Sequence, residues 1–303
     1  MSPQSPLLDP RGKAVLVTGA SSGLGEVTAH RLARVGFRVR AGVRRVEDAE
    51  RLAAAGVPNL TPVILDVTDE DGIAKVLDTI AEEEPEGGLF GLVNNAGIAV
   101  TAPLECVDSA LLRRQLDTNV VGQLAVIRAA LPLLRAGDTP GRIVNVTSGL
   151  GNVALPYMGA YAAAQFAKEA LSDSLRRELA PFGISVSVVQ PGAITTPIWD
   201  KMALEAGRTL ESAPAPVAAL YRQSFRRFLE ENEHSARTGG LTPDHVARTI
   251  LRALVSPRPR TRYGVGKDAT GGRLLSRLLP DRAVDKVFSG LVTTDTDTDS
   301  DTP

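Results

Sequence analysis

Two stretches of this chain carry residue types whose spacing suits chemistry. The first runs from Tyr157 to Lys168, Tyr-Met-Gly-Ala-Tyr-Ala-Ala-Ala-Gln-Phe-Ala-Lys. It reads as the start of a long helix, and Gln165 follows Tyr161 by four residues. Side chains at i and i+4 share a helix face, so this phenol and this amide can reach one site. The second stretch is Thr18-Gly19-Ala20-Ser21-Ser22-Gly23-Leu24-Gly25. Glycines let a backbone approach a pyrophosphate, and a helix start supplies free N–H groups and a partial positive charge. A glycine-rich turn is often only a turn. Here the apolar run Lys13 to Thr18 predicts a buried strand before it, and Val27, Leu32 and Val35 mark a helix after it. That order is what a dinucleotide site needs.

The end of the next strand, Arg38 to Val43, selects the nucleotide. An acid there would hold a ribose 2′-hydroxyl, and an arginine accommodates a 2′-phosphate. The sequence reads Gly42-Val43-Arg44-Arg45, with no acid until Glu47. NADP(H) is therefore expected, with Arg44 at the phosphate. The plainer alternative is that both arginines are solvated surface charges.

The rest of the chain must position these residues. Asn59 to Leu65 reads as a third strand, closed by Asp66-Val67, with Thr68 or Asp69 capping the next helix. Leu89 to Val93 is a fourth, ending at Asn94-Asn95-Ala96-Gly97. One helical segment is expected from about Ser109 to Leu134, its apolar face interrupted by Asn119 and Gly122. Arg142 to Thr147 leads into Ser148-Gly149, and Ile184 to Val189 into Gln190-Pro191-Gly192. A short last strand is expected at Arg262 to Gly266. Strands alternating with helices predict an α/β fold, a Rossmann-type doubly wound parallel sheet in a single domain. Its ligands belong at the C-terminal sheet edge. Residues 12–290 form that domain, with 197–240, rich in Pro, Ala, Glu and Arg, expected as a substrate lid. Residues 1–11 read as a flexible arm and 291–303, a Thr/Asp repeat, as a disordered acidic tail.

Composition narrows the partners. The formal net charge of the 303 residues is −1, which provides no attraction to nucleic acid or to an acidic membrane surface. No run approaches the roughly 20 apolar residues of a membrane helix. The first residues lack the apolar segment of a secretory signal. A single cysteine, Cys106, suits a reducing cytoplasm. His30, His234 and His245 are scattered without metal-ligand spacing, so no metal is expected.

Taken together and in this order, Thr18-Gly19, Gly23, Gly25, Asp66-Val67, Asn94-Asn95-Ala96-Gly97, Asn119, Ser148, Tyr161 and Pro191-Gly192 through Thr196 resemble the short-chain dehydrogenase/reductase family, across roughly residues 10–290. The C-terminal third, with Arg262-Tyr263 and Leu279-Pro280-Asp281, resembles the branch of retinol and 17β-hydroxysteroid dehydrogenases. The resemblance implies a lipophilic alcohol or ketone substrate and a homodimer or homotetramer. It makes Tyr161 the acid/base, with Ser148 on the substrate oxygen and Asn119 holding a water in the proton relay. It puts adenine against Asp66 and Val67, and the nicotinamide carboxamide against Thr196. Gly19, Ser21, Ser22, Gly23, Leu24, Gly25, Asn94, Ala96, Gly97, Gln165, Pro191, Gly192 and Ile194 complete the implied cofactor site.

Gln165 departs from the family pattern, which has lysine four residues after the tyrosine. That lysine hydrogen-bonds the nicotinamide ribose and lowers the phenol pKa; glutamine keeps the hydrogen bonding and loses the charge. A unit charge about 5 Å from a phenolate is worth roughly 3 kcal/mol at an effective dielectric of about 20, or about two pKa units. Without it Tyr161 should stay nearer its free value, able to donate a proton in reduction and a poor base for oxidation. Lys168, seven residues after Tyr161, lies nearly on the same face and is a second candidate for the ribose; a helix-contact lysine is the plainer reading. Three functions follow: an NADP(H)-dependent reductase of a lipophilic ketone or aldehyde, steroid- or polyketide-like; a redox-inactive enzyme of this fold catalysing cyclisation, isomerisation or elimination in natural-product biosynthesis; or a cofactor-binding protein without catalysis. Tyr157 is expected to line the pocket.

Overall fold

The computed structural model describes residues 7–84, 88–196 and 198–292. Seven strands form one parallel sheet in the order β3-β2-β1-β4-β5-β6-β7. They are β1 Ala14–Val17, β2 Arg38–Val43, β3 Leu60–Ile64, β4 Gly91–Asn94, β5 Arg142–Val146, β6 Ser185–Pro191 and β7 Arg262–Val265. The chain reverses its direction of growth between β1 and β4, which leaves a crevice at their C-terminal ends.

Helices cover both faces. In β1, Val15 and Val17 point to one core, with Leu32 of α1 (Gly23–Arg34), Leu52 of α2 (Val46–Ala54) and Ile250 of α9 (Pro243–Val255). Ala14 and Leu16 point to the other, with Ile73 of α3 (Glu70–Glu83), Ile127 of α5 (Gly122–Ala136) and Leu175 of α6 (Gly159–Leu179). This alternation is the two-residue period of a strand buried on both sides. Helix starts follow their caps. The Asp69 carboxylate accepts from the Gly72 amide at 3.1 Å, and Thr242 with His245 closes a capping box on α9.

Three expectations change. The helix expected over 109–134 is two helices, α4 (Ser109–Leu116) and α5, joined by a π turn at Asp117–Val121 that contains Asn119. The interruption of the apolar pattern at Asn119 and Gly122 marks this break. The arm is tied down at its inner end, where the Leu8 amide donates to the Val255 carbonyl at 2.8 Å and Leu8 packs on the core. Residues 1–6 and 293–303 lie outside the described residues. The 197–240 segment is two helices, α7 (Ile198–Ser212) and α8 (Ala215–Thr238). They share a separate apolar cluster with Met158, in which Met202, Phe225 and Phe228 are buried. After β7 come α10 (Lys267–Leu278) and α11 (Asp281–Phe288).

Candidate active site

A cleft of about 830 Å³ opens at the C-terminal sheet edge. The segments following β1 through β6 form its floor, and α7, α8, α10 and α11 contribute to its walls. At one end lies the glycine loop. Gly19 has φ +67°, and a methyl group there would stand 2.7 Å from the Ala96 Cα. A methyl at Gly25 would stand 2.0 Å from the Gly19 carbonyl oxygen. The loop is closed so tightly that only hydrogen fits at either position. Ser22, the N-cap of α1, makes no side-chain capping bond, so the first-turn N–H groups of this helix remain available to an anion.

Two residues that the motifs contain but to which the sequence assigned no role hold that loop. The Asn95 side-chain amide donates to the carbonyls of Thr18 and Gly19, each at 3.1 Å. The Thr18 hydroxyl accepts from the amides of Asn95 and Ala96 at 3.1 and 3.0 Å. The Asn-Asn pair was visible in the sequence, but which of its members faces the loop depends on strand register. Asn94 is the other one, and the expectation for it is corrected. Its side chain donates to Asn145 of β5 at 3.0 Å, is buried, and does not border the cleft. Every other residue expected at the site, Tyr157 apart, borders it.

Arg44 lies exposed at the nucleotide end, beside Asp66 and Val67. One oxygen of the Asp66 carboxylate is already engaged, accepting from the Thr68 amide and hydroxyl at 2.9 and 2.8 Å. Asn119 is engaged as well: Oδ1 accepts from the Ile98 amide and Nδ2 donates to the Ile98 carbonyl, both at 2.9 Å. It fixes the loop after β4, using one of the two Nδ2 hydrogens and one of the two Oδ1 lone pairs.

At the other end α6 presents Tyr161 and Gln165, and the loop after β5 presents Ser148. Burial pushes the Tyr161 phenol above its ordinary value, and hydrogen bonding by Ser148 and then Gln165 offsets part of the rise. Gln165 is 2% exposed, and its Oε1 has no hydrogen-bond partner among the described residues. A buried orphan acceptor is costly, and a donor hydroxyl arriving in the cleft would satisfy it. A nucleotide therefore fits both ends, with phosphates at the open helix start and a sugar hydroxyl at Gln165.

Behind this pair is a buried polar cluster that the sequence did not reveal. Glu169 Oε1 accepts from Thr147 at 2.7 Å and from Gln190 at 2.9 Å, and Oε2 accepts from Arg262 at 2.8 Å. It ties α6 to β6, β7 and the end of β5. Tyr157 also differs from expectation. It does not border the cleft; its hydroxyl donates to Ser224 at 2.9 Å, and its ring packs 5.2 Å from both Phe225 and Phe228. It holds a left-handed φ of +64°, a strain of roughly 1–3 kcal/mol for a residue with a side chain. Packing against α8 offsets that strain. The substrate end is apolar, formed by Leu150, Leu155, Met158, Trp199, Met202 and Phe288. Cys106 lies outside the cleft, and burial followed by the Glu105 charge raises its thiol pKa.

This sheet, glycine loop and tyrosine-bearing helix define a nucleotide-dependent α/β oxidoreductase. Residues 13–206 match the model of the short chain dehydrogenase family, and the chain belongs to that family. Its members use a nicotinamide cofactor on small-molecule substrates. The chain is 43% identical to the 3-amino-tetrahydro-pyrrolizinone reductase of Xenorhabdus hominickii, over 91% of this chain and 94% of that one. It is 36% identical to mouse retinol dehydrogenase 5, over 92% and 88%. Among solved structures, a short chain dehydrogenase from Burkholderia cenocepacia in complex with NADP superposes with a TM-score of 0.69 at 27% identity, covering 95% of this chain and all of that one. One from Burkholderia phymatum in complex with NAD has a TM-score of 0.74 at 22% identity, covering 95% and 98%, and shows the fold alone. No helix among the described residues is long and apolar enough to cross a membrane.

Proposed function

We propose that this protein is an NADPH-dependent reductase of a ketone or aldehyde on a largely apolar small molecule. The observation that carries this reading is a phenol kept protonated by burial, Tyr161, standing with Ser148 in the cleft that begins at the glycine loop. Bound there, the nicotinamide supplies hydride. The chain's own residues do the rest. Ser148 orients the carbonyl oxygen, and Tyr161 donates a proton to it as charge develops. Gln165 accepts from a sugar hydroxyl and leaves the phenol uncharged. The open N-terminus of α1 holds the pyrophosphate. Arg44 favours the 2′-phosphate, in keeping with an NADP-bound structural relative. The apolar wall from Leu150 to Phe288 selects substrates with little polar surface.

The reductase name of the Xenorhabdus relative agrees with this direction, and the retinol dehydrogenase name with a largely apolar substrate. Absorbance of NADPH is followed with a panel of cyclic and aromatic ketones and aldehydes, and again with NADH. NADPH consumption is expected. Arg44→Ala should lower the preference for NADPH over NADH by about 10- to 100-fold, the weight of one charge-assisted phosphate contact. Tyr161→Phe should slow turnover by about 100-fold or more. Consumption that persists undiminished in Tyr161→Phe would remove the phenol from the reaction.

A further inference from the structure

A second cation reaches the cleft. Lys168 is 2% exposed, and its Nζ donates to the Val146 carbonyl at 2.6 Å, two residues before Ser148. An ammonium has three donors, and this is the only bond to Nζ among the described residues. No carboxylate among the described residues pairs with it. Its neighbour Glu169 is turned to Thr147, Gln190 and Arg262. The other charged or titratable groups around α6 are also directed elsewhere. Arg142 of β5 donates to Ser185, Asp173 pairs with Arg262 of β7, and Arg114 of α4 pairs with Glu205. Arg113 and Asp117 are exposed.

A buried amine without a counter-ion is unfavourable unless something else uses it. Its pKa is lowered to about 8 by burial, with the Glu169 charge acting the other way. Lys168 borders the same cleft as Tyr161 and Gln165. Among the described residues lining that cleft, the only other cation is Arg44 at the far end. Three residues of helix separate Lys168 from Gln165, a rise of about 4.5 Å, and helical side chains lean back toward the N-terminus.

We propose that Lys168 is a nucleotide-binding residue whose ammonium holds a sugar hydroxyl at the nicotinamide end, supplying from position 168 the positive charge that Gln165 lacks. This rests on the nucleotide reading of the cleft. With phosphates at the glycine loop, the part of the nucleotide that reaches Tyr161 is the nicotinamide and its sugar. The hydroxyls of that sugar are the acceptors a free ammonium can use.

NADPH affinity is measured by titration calorimetry at about pH 7 for the wild type, Lys168→Met, and Lys168→Met combined with Gln165→Lys. Lys168→Met should bind about tenfold or more weakly, the weight of a charge-assisted hydrogen bond. The double variant should recover most of that loss. Wild-type affinity should fall as pH rises above about 8, because the neutral amine loses the contact, while Lys168→Met stays flat. Tyr161 ionises higher than this window and does not mask the trend. Equal affinity and equal pH profiles in wild type and Lys168→Met overturn the assignment and leave the reductase reading standing. If Lys168→Met does not fold, a wild-type affinity that stays flat between about pH 7 and about pH 9.5 overturns it as well. A wild type that does not bind NADPH at all overturns both.

Discussion

The Thr147 hydroxyl donates to Glu169 at 2.7 Å, fastening the strand end that carries Ser148 to the helix that carries Tyr161. The two groups that must meet on one substrate oxygen come from elements that are also joined by the hydrogen bonds from Asn145 to Ser172 and from Lys168 to the Val146 carbonyl. Glu169 is 7% exposed and accepts three side-chain bonds, so it sets the spacing between them. Glu169→Ala is expected to cost about 3 kcal/mol, because Arg262 keeps only Asp173, buried Gln190 loses its acceptor, and Thr147 keeps only the Val189 carbonyl at 3.4 Å. Urea unfolding reads the loss. A loss below about 1 kcal/mol would mean that the cluster contributes little.

Lys168 makes a signed pH prediction. Its folded pKa, about 8, lies below the ordinary 10.5. Between those values the unfolded chain binds more protons than the folded one, so this group's contribution becomes more favourable as pH rises through the window. At pH 7 the full penalty is present, roughly 3 kcal/mol at about 1.4 kcal/mol per pKa unit. Lys168→Met should therefore be more stable than wild type at about pH 7, and its lead should shrink toward pH 10. Paired unfolding curves at the two pH values check this, and a lead that grows with pH would contradict it.

The Tyr161 phenol is pushed upward by burial, so in the nucleotide-free protein it stays protonated through neutral pH. Reduction uses that proton, whereas oxidation needs the phenolate. Oxidation of the matching alcohol is thus expected to be slow at neutral pH and to climb with alkalinity. The absorbance difference near 295 nm between wild type and Tyr161→Phe should place this ionisation above pH 10. A midpoint below 9 would show a primed base and would reverse the expected direction.

Gly25→Ala should weaken both the fold and nucleotide binding. The added methyl would meet the Gly19 carbonyl oxygen at 2.0 Å and the Asn95 side chain at 2.5 Å, and the first of these is backbone. Relief requires the loop to open, at about 1–3 kcal/mol of overpacking. The expected outcome is a lower Tm and at least about tenfold weaker NADPH binding. An unchanged Tm would show that the loop yields easily.

Local signals made much of this legible in the sequence. The apolar runs and their glycine and Asp/Thr boundaries predicted the strands, because buried parallel strands are continuous apolar segments ended by turn chemistry. The glycine loop was legible because only glycine tolerates such close approach, and Tyr161 with Gln165 because i and i+4 share a face. The π turn at Asn119 left a trace in the broken apolar pattern, but that trace does not say what the side chain holds. The fate of Asn94 and Asn95 depended on strand register, since neighbours in a strand point to opposite faces. Tyr157 turned away from the cleft because two phenylalanines of α8, nearly 70 residues on, offered it a partner. The Glu169 cluster joins residues from 147 to 262, and Lys168 is a stranded cation only because Glu169 beside it faces Arg262. By itself the sequence determined the strands of the sheet and most of the residues at its edge, since those follow from periodicity and turn chemistry within a few residues. Which polar groups find partners, and which are left facing the cleft, was decided by tertiary structure, because hydrogen bonds between distant segments depend on packing that no local pattern encodes.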